Sequence, residues 1–170
     1  MSMTASPNLI PPICRNLWDA YLATVSDPDG VAARYYETCR FGHTRENANK
    51  TAGLILTGTK TATASLVFEF ELTGKLMPRV GSLTIVLDGQ YEAVAVVETT
   101  EVKLVPFESI DADFARDYGE GDRTLGYWHT MMWRYYAEEA EKLGIPPSED
   151  MPLVCEYFRL VYPSTARIVH

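Results

Sequence analysis

Gly58-Thr59-Lys60-Thr61-Ala62-Thr63-Ala64-Ser65-Leu66-Val67-Phe68 is the stretch where the hydrophobic period of the chain changes. Before it, Ala48, Ala52, Ile55 and Leu56 fall on one face of a helix predicted over 45–57. Thr44 is placed to cap that helix, because its hydroxyl can accept a free backbone N–H of the first turn. Gly58 suits the left-handed residue that ends it. After Gly58, the β-branched and apolar run Thr61–Phe68 reads as a strand. The stretch is not a phosphate-binding loop. Such a loop runs from strand to helix with a second glycine before its lysine, and here the order is reversed.

Upstream, Ile13, Leu17, Tyr21 and Val25 recur at near-helical spacing and predict a helix over 13–25. The turn cluster Ser26-Asp27-Pro28-Asp29-Gly30 stops it, and Val31–Phe41 reads as a loosely ordered or mixed segment. Residues 1–12 read as a loose polar arm with no basic region followed by an apolar core, so no secretory signal is expected there. Downstream, Leu72–Val80 reads as a connection, Ser82–Leu87 as a strand, Asp88-Gly89 as a tight hairpin turn and Glu92–Val105 as the return strand. Pro106–Asp113 leads to the acidic loop Tyr118-Gly119-Glu120-Gly121-Asp122. A helix is predicted over 123–143, stopped by Gly144 and Pro146-Pro147, and Leu153–Val161 reads as a closing strand. The expected fold is therefore α+β: one domain over 13–170, with a curled, mostly antiparallel sheet or barrel of four to six strands flanked by helices.

Composition limits the function. With 170 residues, 46% hydrophobic and 22% charged, the chain is a single folded domain, not a disordered or fibrous one. No run approaches the ~20 apolar residues of a membrane helix. The net charge of −8 argues against coating long duplex nucleic acid, while leaving room for a local basic pocket. Arg34, Arg40, Arg45, Lys50 and Lys60 cluster in sequence and are candidates for such a face. Cys14, Cys39 and Cys155 are odd in number and form no CxxC, which predicts free thiols in a reducing cytoplasm. His43, His129 and His170 show no zinc-binding spacing, so no protein-built metal site is expected.

Three groups carry candidate chemistry. Lys60 stands among hydroxyls at the helix-to-strand junction, where it can activate a hydroxyl or stabilise an oxyanion; the alternative is a solvated lysine. The glycines around Glu120 expose its carboxylate, and Asp122 or Thr124 can cap the following helix. Tyr35, Tyr36, Phe41, Trp128, Trp133, Tyr135 and Tyr136 offer rings that stack on bases or fill a core.

Gly58-x-Lys60-x-x-Thr63-x-Ser65 resembles the G-x-K-x-x-T-x-R signature of ASCH domains, relatives of the RNA-binding PUA domains. Tyr36, Phe41-Gly42, Val80-Gly81, Val97–Val102, Pro106-Phe107, Glu120-Gly-Asp122, Tyr127-Trp128 and the segment from Pro152 to Pro163 are similar to the larger bacterial members. Ser65 departs from the arginine often found at the last signature position, giving one hydroxyl in place of a bidentate fork. The resemblance implies a PUA-like β-barrel with a cleft for a nucleoside or short RNA. It implies either amide hydrolysis of an N4-acetylcytidine-type modified nucleoside, without cofactor, or cleavage of single-stranded RNA with a divalent cation. A non-catalytic RNA- or nucleotide-binding module is the third expectation.

For the amidohydrolase, the resemblance assigns Lys60 as base, Thr63 as nucleophile and Glu120 as the supporting carboxylate, with Asp122 as the alternative. Tyr36, Phe41, Ser65, Asp122 and Trp128 are the expected substrate-binding residues. Residues three apart on a regular strand point to opposite faces, so convergence of Lys60 and Thr63 requires a bend after Gly58.

Overall fold

The structure is a computed structural model that describes residues 9–163. A 3₁₀ turn at Pro12–Cys14 leads into α1 (Arg15–Leu22), followed by α2 (Pro28–Ala32), β1 (Tyr35–Arg40) and α3 (Arg45–Leu56). Next come β2 (Ala62–Leu66), α4 (Val67–Thr73), β3 (Leu83–Leu87) and β4 (Ala93–Pro106). The chain continues through α5 (Ala112–Tyr118) and α6 (Leu125–Lys142) to β5 (Pro152–Tyr162). The first eight residues of the expected arm and the last seven of the chain lie outside the described residues. None of the described helices is long and apolar enough to cross a membrane.

The strands form one curled five-stranded sheet in the order β1-β3-β4-β5-β2. Three of its four pairings are antiparallel, and β1 runs parallel to β3. The α+β expectation holds, with a mixed half-barrel as its particular form. Four described helix starts are capped as side-chain chemistry dictates, α2 by Asp27, which accepts from the Gly30 N–H. Thr44 accepts from the Asn47 N–H, Asp111 from Phe114 and Thr124 from Tyr127.

Four local expectations need correction. Val31–Phe41 contains β1, whose residues are all half-buried and so show no clean alternation. The strand expected to run to Phe68 ends at Leu66, and Val67–Thr73 turns into α4 with Val67 and Phe70 against the core. There the β-branched propensity yields to tertiary packing. The β3–β4 turn is not a two-residue hairpin: it runs from Asp88 to Glu92, and the Asp88 carboxylate accepts the Gln90 and Glu92 N–H groups. The stretch before the acidic loop contains α5, too short for its period to show in the sequence.

Packing on the two sides of the sheet explains where a cleft can form. Cys14, Trp18 and Tyr21 cover Leu83, Ile85 and Val96 on one side. Phe107, Phe114, Trp128 and Tyr136 pack against Ala62, Leu66 and Leu153 beneath α5 and α6. Between α3 and α6 the other sheet face stays partly uncovered. Register places Glu37 of β1 beside Thr84 of β3, Thr84 beside Val97 of β4, and Thr63 of β2 beside Glu156 of β5. Cross-strand partners share a face, so these side chains form one floor.

Candidate active site

That floor belongs to a cleft of about 520 Å³, within the range of small-molecule sites. Phe41, Leu54, Thr63, Ser65, Glu120, Trp128, Met132, Tyr135 and Phe158 are among its lining residues.

Lys60 lies beneath the cleft, 1% exposed, which overturns the solvated alternative. The strand begins only at Ala62; Gly58 has φ +73°, and the N–H groups of Thr59 and Lys60 both donate back to the Leu54 carbonyl. The junction is therefore bent as required. The Lys60 ammonium donates to the carbonyls of Ala62 (2.9 Å) and Tyr118 (3.0 Å). It pairs with Glu120 Oε1 at 3.0 Å. Its Nζ also lies 3.4 Å from the centre of the Tyr118 ring, a contact that favours the cation. Burial outweighs these partners and pulls the Lys60 pKa down to about 8, with the Glu120 carboxylate opposing the fall.

The acidic loop reaches Lys60 because its glycines permit close contact. A Cβ on Gly119 would sit 2.5 Å from the Thr59 carbonyl oxygen and 2.7 Å from Lys60 Cα. Gly119 also has φ +78°, and Gly121 has φ +62° with Tyr127 packed against it. Glu120, between them, is thus held over the buried amine.

Asp122 does different work. Its carboxylate accepts from the Thr124 N–H (2.9 Å) and hydroxyl (2.6 Å), away from the cleft lining. These bonds hold the Asp122 carboxyl below its ordinary pKa.

Thr63 and Ser65 alternate with buried Ala62 and Leu66 and point into the cleft. Among the described residues no hydrogen bond joins Lys60 to Thr63. The Thr63 hydroxyl instead lies near the Tyr118 phenol, and burial raises that phenol's pKa so that it stays neutral. Tyr118 therefore adjoins both: it holds Lys60 through its carbonyl and ring, and its phenol lies near Thr63.

The aromatic expectations divide. Phe41 lines the cleft, packs on Phe158 and stands 5.9 Å from Lys60 Nζ. Trp128 is buried at its edge, with an indole N–H that has no hydrogen-bond partner. Tyr36 faces a separate groove, where its hydroxyl donates to the Leu76 carbonyl at 2.7 Å. Tyr36 is the extra residue of an irregularity between Tyr35 and Glu37, and Glu37 lines both that groove and the cleft.

The five basic residues do not form one face. Arg34 pairs with Glu98 and Lys60 is buried, while Arg40 and Lys50 line the cleft mouth. Among the described residues no three His, Cys, Asp or Glu side chains are grouped to hold a metal ion.

Two features of the site are not legible from motif spacing. Glu37 and Lys75 form an ion pair of 2.6 Å in the cleft lining. Glu156 lies on the floor with its carboxylate bonded to Thr99. A lone carboxylate in the apolar strand Leu153–Val161 is the one sequence signal for the latter.

The model of the ASCH domain matches residues 37–162. The chain belongs to the ASCH family. The ASCH domain from Lactobacillus crispatus JV V101 has a similar structure: TM-score 0.84 and 33% identity, covering 91% of this chain and 98% of that one. A protein from Enterococcus faecalis V583 superimposes with a TM-score of 0.67 and 31% identity, over 74% of this chain and 79% of that one. No curated protein matches the chain. The ASCH match includes Lys60, Thr63 and Glu120 and excludes α1 and α2, which brace the back of the sheet.

Proposed function

We propose that this ASCH domain hydrolyses an acyl amide on a modified nucleoside, with N4-acetylcytidine as the model substrate. The observation that carries this reading is the buried Lys60 amine, paired with Glu120 of the cleft lining, beneath a floor that presents Thr63.

In this scheme the Thr63 oxygen attacks the acyl carbon and its proton passes to neutral Lys60. At pH 7 roughly a tenth of a lysine with a pKa of about 8 is neutral. The transfer requires a rotamer change or one intervening water, since Lys60 and Thr63 share no direct hydrogen bond. Such contacts often tighten only with substrate bound. The Tyr118 phenol, kept neutral by burial, orients the threonine hydroxyl. The Thr63 oxygen–carbon bond forms, the carbon–nitrogen bond breaks, and the departing amine takes a proton from the Lys60–Glu120 pair. Water then cleaves the threonine ester, releasing the acid and restoring the hydroxyl. Phe41 and Tyr135 stack on the base, and Arg40 and Lys50 at the mouth take the polar ribose side.

The test is incubation of purified protein with N4-acetylcytidine, following cytidine release, and separately with short single-stranded RNA, each with and without chelator. Cytidine release that survives the chelator supports the proposal. Chelator-sensitive RNA cleavage without cytidine release would establish the ribonuclease instead. Binding without turnover, unchanged by Thr63→Ala, would establish a binding module.

A further inference from the structure

Glu156 lies at the centre of the sheet floor with no assigned task. In β5 it stands opposite Thr63 of β2, and it lines the same cleft. Directly opposed residues of an antiparallel pair have Cβ atoms about 5 Å apart on one face. A group bound at Thr63 therefore has its next atoms within reach of Glu156. The carboxylate is oriented from the other side: Oε1 accepts the hydroxyl of Thr99 at 2.5 Å, and Thr99 is 1% exposed. The bond engages Oε1, so Oε2 is the oxygen a ligand in the cleft would meet. Glu37, the nearby carboxylate of β1, is already paired with Lys75, whereas among the described residues no ion pair includes Glu156. Burial raises the carboxyl pKa of Glu156, with the Thr99 hydroxyl opposing the rise. Glu156 is half-buried and lines the cleft, and an ionised carboxylate there is a strong acceptor for a ligand N–H.

We propose that Glu156 is the specificity-determining residue of the cleft, accepting at Oε2 a hydrogen bond from the exocyclic N–H of a cytosine-type base. The inference rests on the amide-hydrolase reading for the role of Thr63. In an N4-acylated cytosine the acyl carbon and the amide N–H are one bond apart, which matches the adjacency of Thr63 and Glu156 across the strands. Cytosine presents a donor at the position where uracil presents an acceptor. Glu156 thus selects the first and repels the second.

The test measures binding of cytidine and of uridine, by calorimetric titration, to the wild type and to Glu156→Gln and Glu156→Asp. Wild type is expected to bind cytidine at least tenfold more tightly than uridine, the scale of a hydrogen bond to a charged group. In Glu156→Gln the amide oxygen keeps the Thr99 bond and the NH₂ faces the cleft, so the preference collapses or inverts toward uridine. Glu156→Asp retracts the carboxylate by one methylene and is expected to lose most of the preference while keeping the charge. Equal affinity of the wild type for both nucleosides would overturn the proposal. So would variants in which both affinities fall by the same factor, because a merely structural glutamate would not set the ratio. The readout needs no turnover. A chain that discriminates through Glu156 but does not hydrolyse N4-acetylcytidine would sink the amide-hydrolase reading and leave this one standing.

Discussion

The cleft contains two lysine–glutamate pairs, and their environments separate them more than their distances do. Lys75 and Glu37 meet at 2.6 Å with side chains 42% and 27% exposed. Lys60 and Glu120 meet at 3.0 Å with the lysine side chain fully buried and the glutamate 37% exposed, so the difference lies in the lysines. By distance the first pair is the stronger. In water-exposed settings, however, such a pair contributes roughly 0–1 kcal/mol, because solvent screens it and both side chains lose freedom. The buried lysine carries a desolvation cost that its partners only partly offset. The same two side-chain types therefore give a solvated surface link in one case and a lysine with a pKa of about 8 in the other. The second arrangement can exchange protons near neutral pH.

The largest expected effect tests whether the pair with the buried lysine is the working one. Lys60→Ala and Thr63→Ala are each expected to lower kcat/KM for N4-acetylcytidine by ~100-fold or more, the usual scale for a lost base or nucleophile. The double variant should lose little beyond either single one, since both residues serve one step. Lys60→Arg should not restore activity, because a guanidinium stays protonated. Near-native turnover by Lys60→Arg would mean that the position supplies only positive charge. In the wild type kcat/KM should rise as pH increases through about 8, as Lys60 becomes neutral.

A smaller effect sharpens the comparison through linkage. The folded Lys60 pKa, about 8, lies below its ordinary 10.5. Between those values the unfolded chain binds the proton and the folded chain does not, so stability rises with pH in that window. The gain over the full window is on the order of 3 kcal/mol. Urea unfolding of wild type and Lys60→Met at pH 7.5 and pH 10 should show the wild type gaining on the variant. Parallel behaviour would mean that Lys60 titrates normally. Glu120→Gln removes the charge that opposes the fall. It should move the rising limb of the kcat/KM profile to lower pH.

The sequence carries much of this site and little of its surroundings. The signature spacing names Lys60 and Thr63, and glycines on both sides name Glu120, because close backbone approach at Gly119 and Gly121 demands glycine. Asp122 and Glu120 look alike in sequence, and only the loop's path separates a helix-cap brace from a lysine partner. Tyr36 and Glu37 show why local pattern falls short: a register irregularity in β1 leaves the ring in the outer groove and lets the carboxylate reach the cleft, and only the pairing with β3 reveals it. Glu156 was hidden for a related reason. Its importance comes from register against Thr63, a contact across 93 residues that no local pattern encodes.

The smallest effect is expected at Lys75. Lys75→Ala removes the 2.6 Å contact with Glu37 and ring contacts at 5.4 Å to Tyr36 and 5.6 Å to Phe70. Both members of the pair are solvated enough for water to replace the lost partner, so the change in unfolding free energy should stay within roughly 1 kcal/mol. Any loss should shrink further in high salt, where exposed charges are screened. Glu37 shares the cleft floor, so freeing it adds negative charge to the cleft. That predicts weaker binding of anionic nucleotides and little change for neutral nucleosides, read by titrating cytidine and its 5′-monophosphate. If Lys75→Ala abolished N4-acetylcytidine turnover as completely as Lys60→Ala, exposure would not be what distinguishes the pairs. The proton-handling role would then have to be shared along the whole cleft.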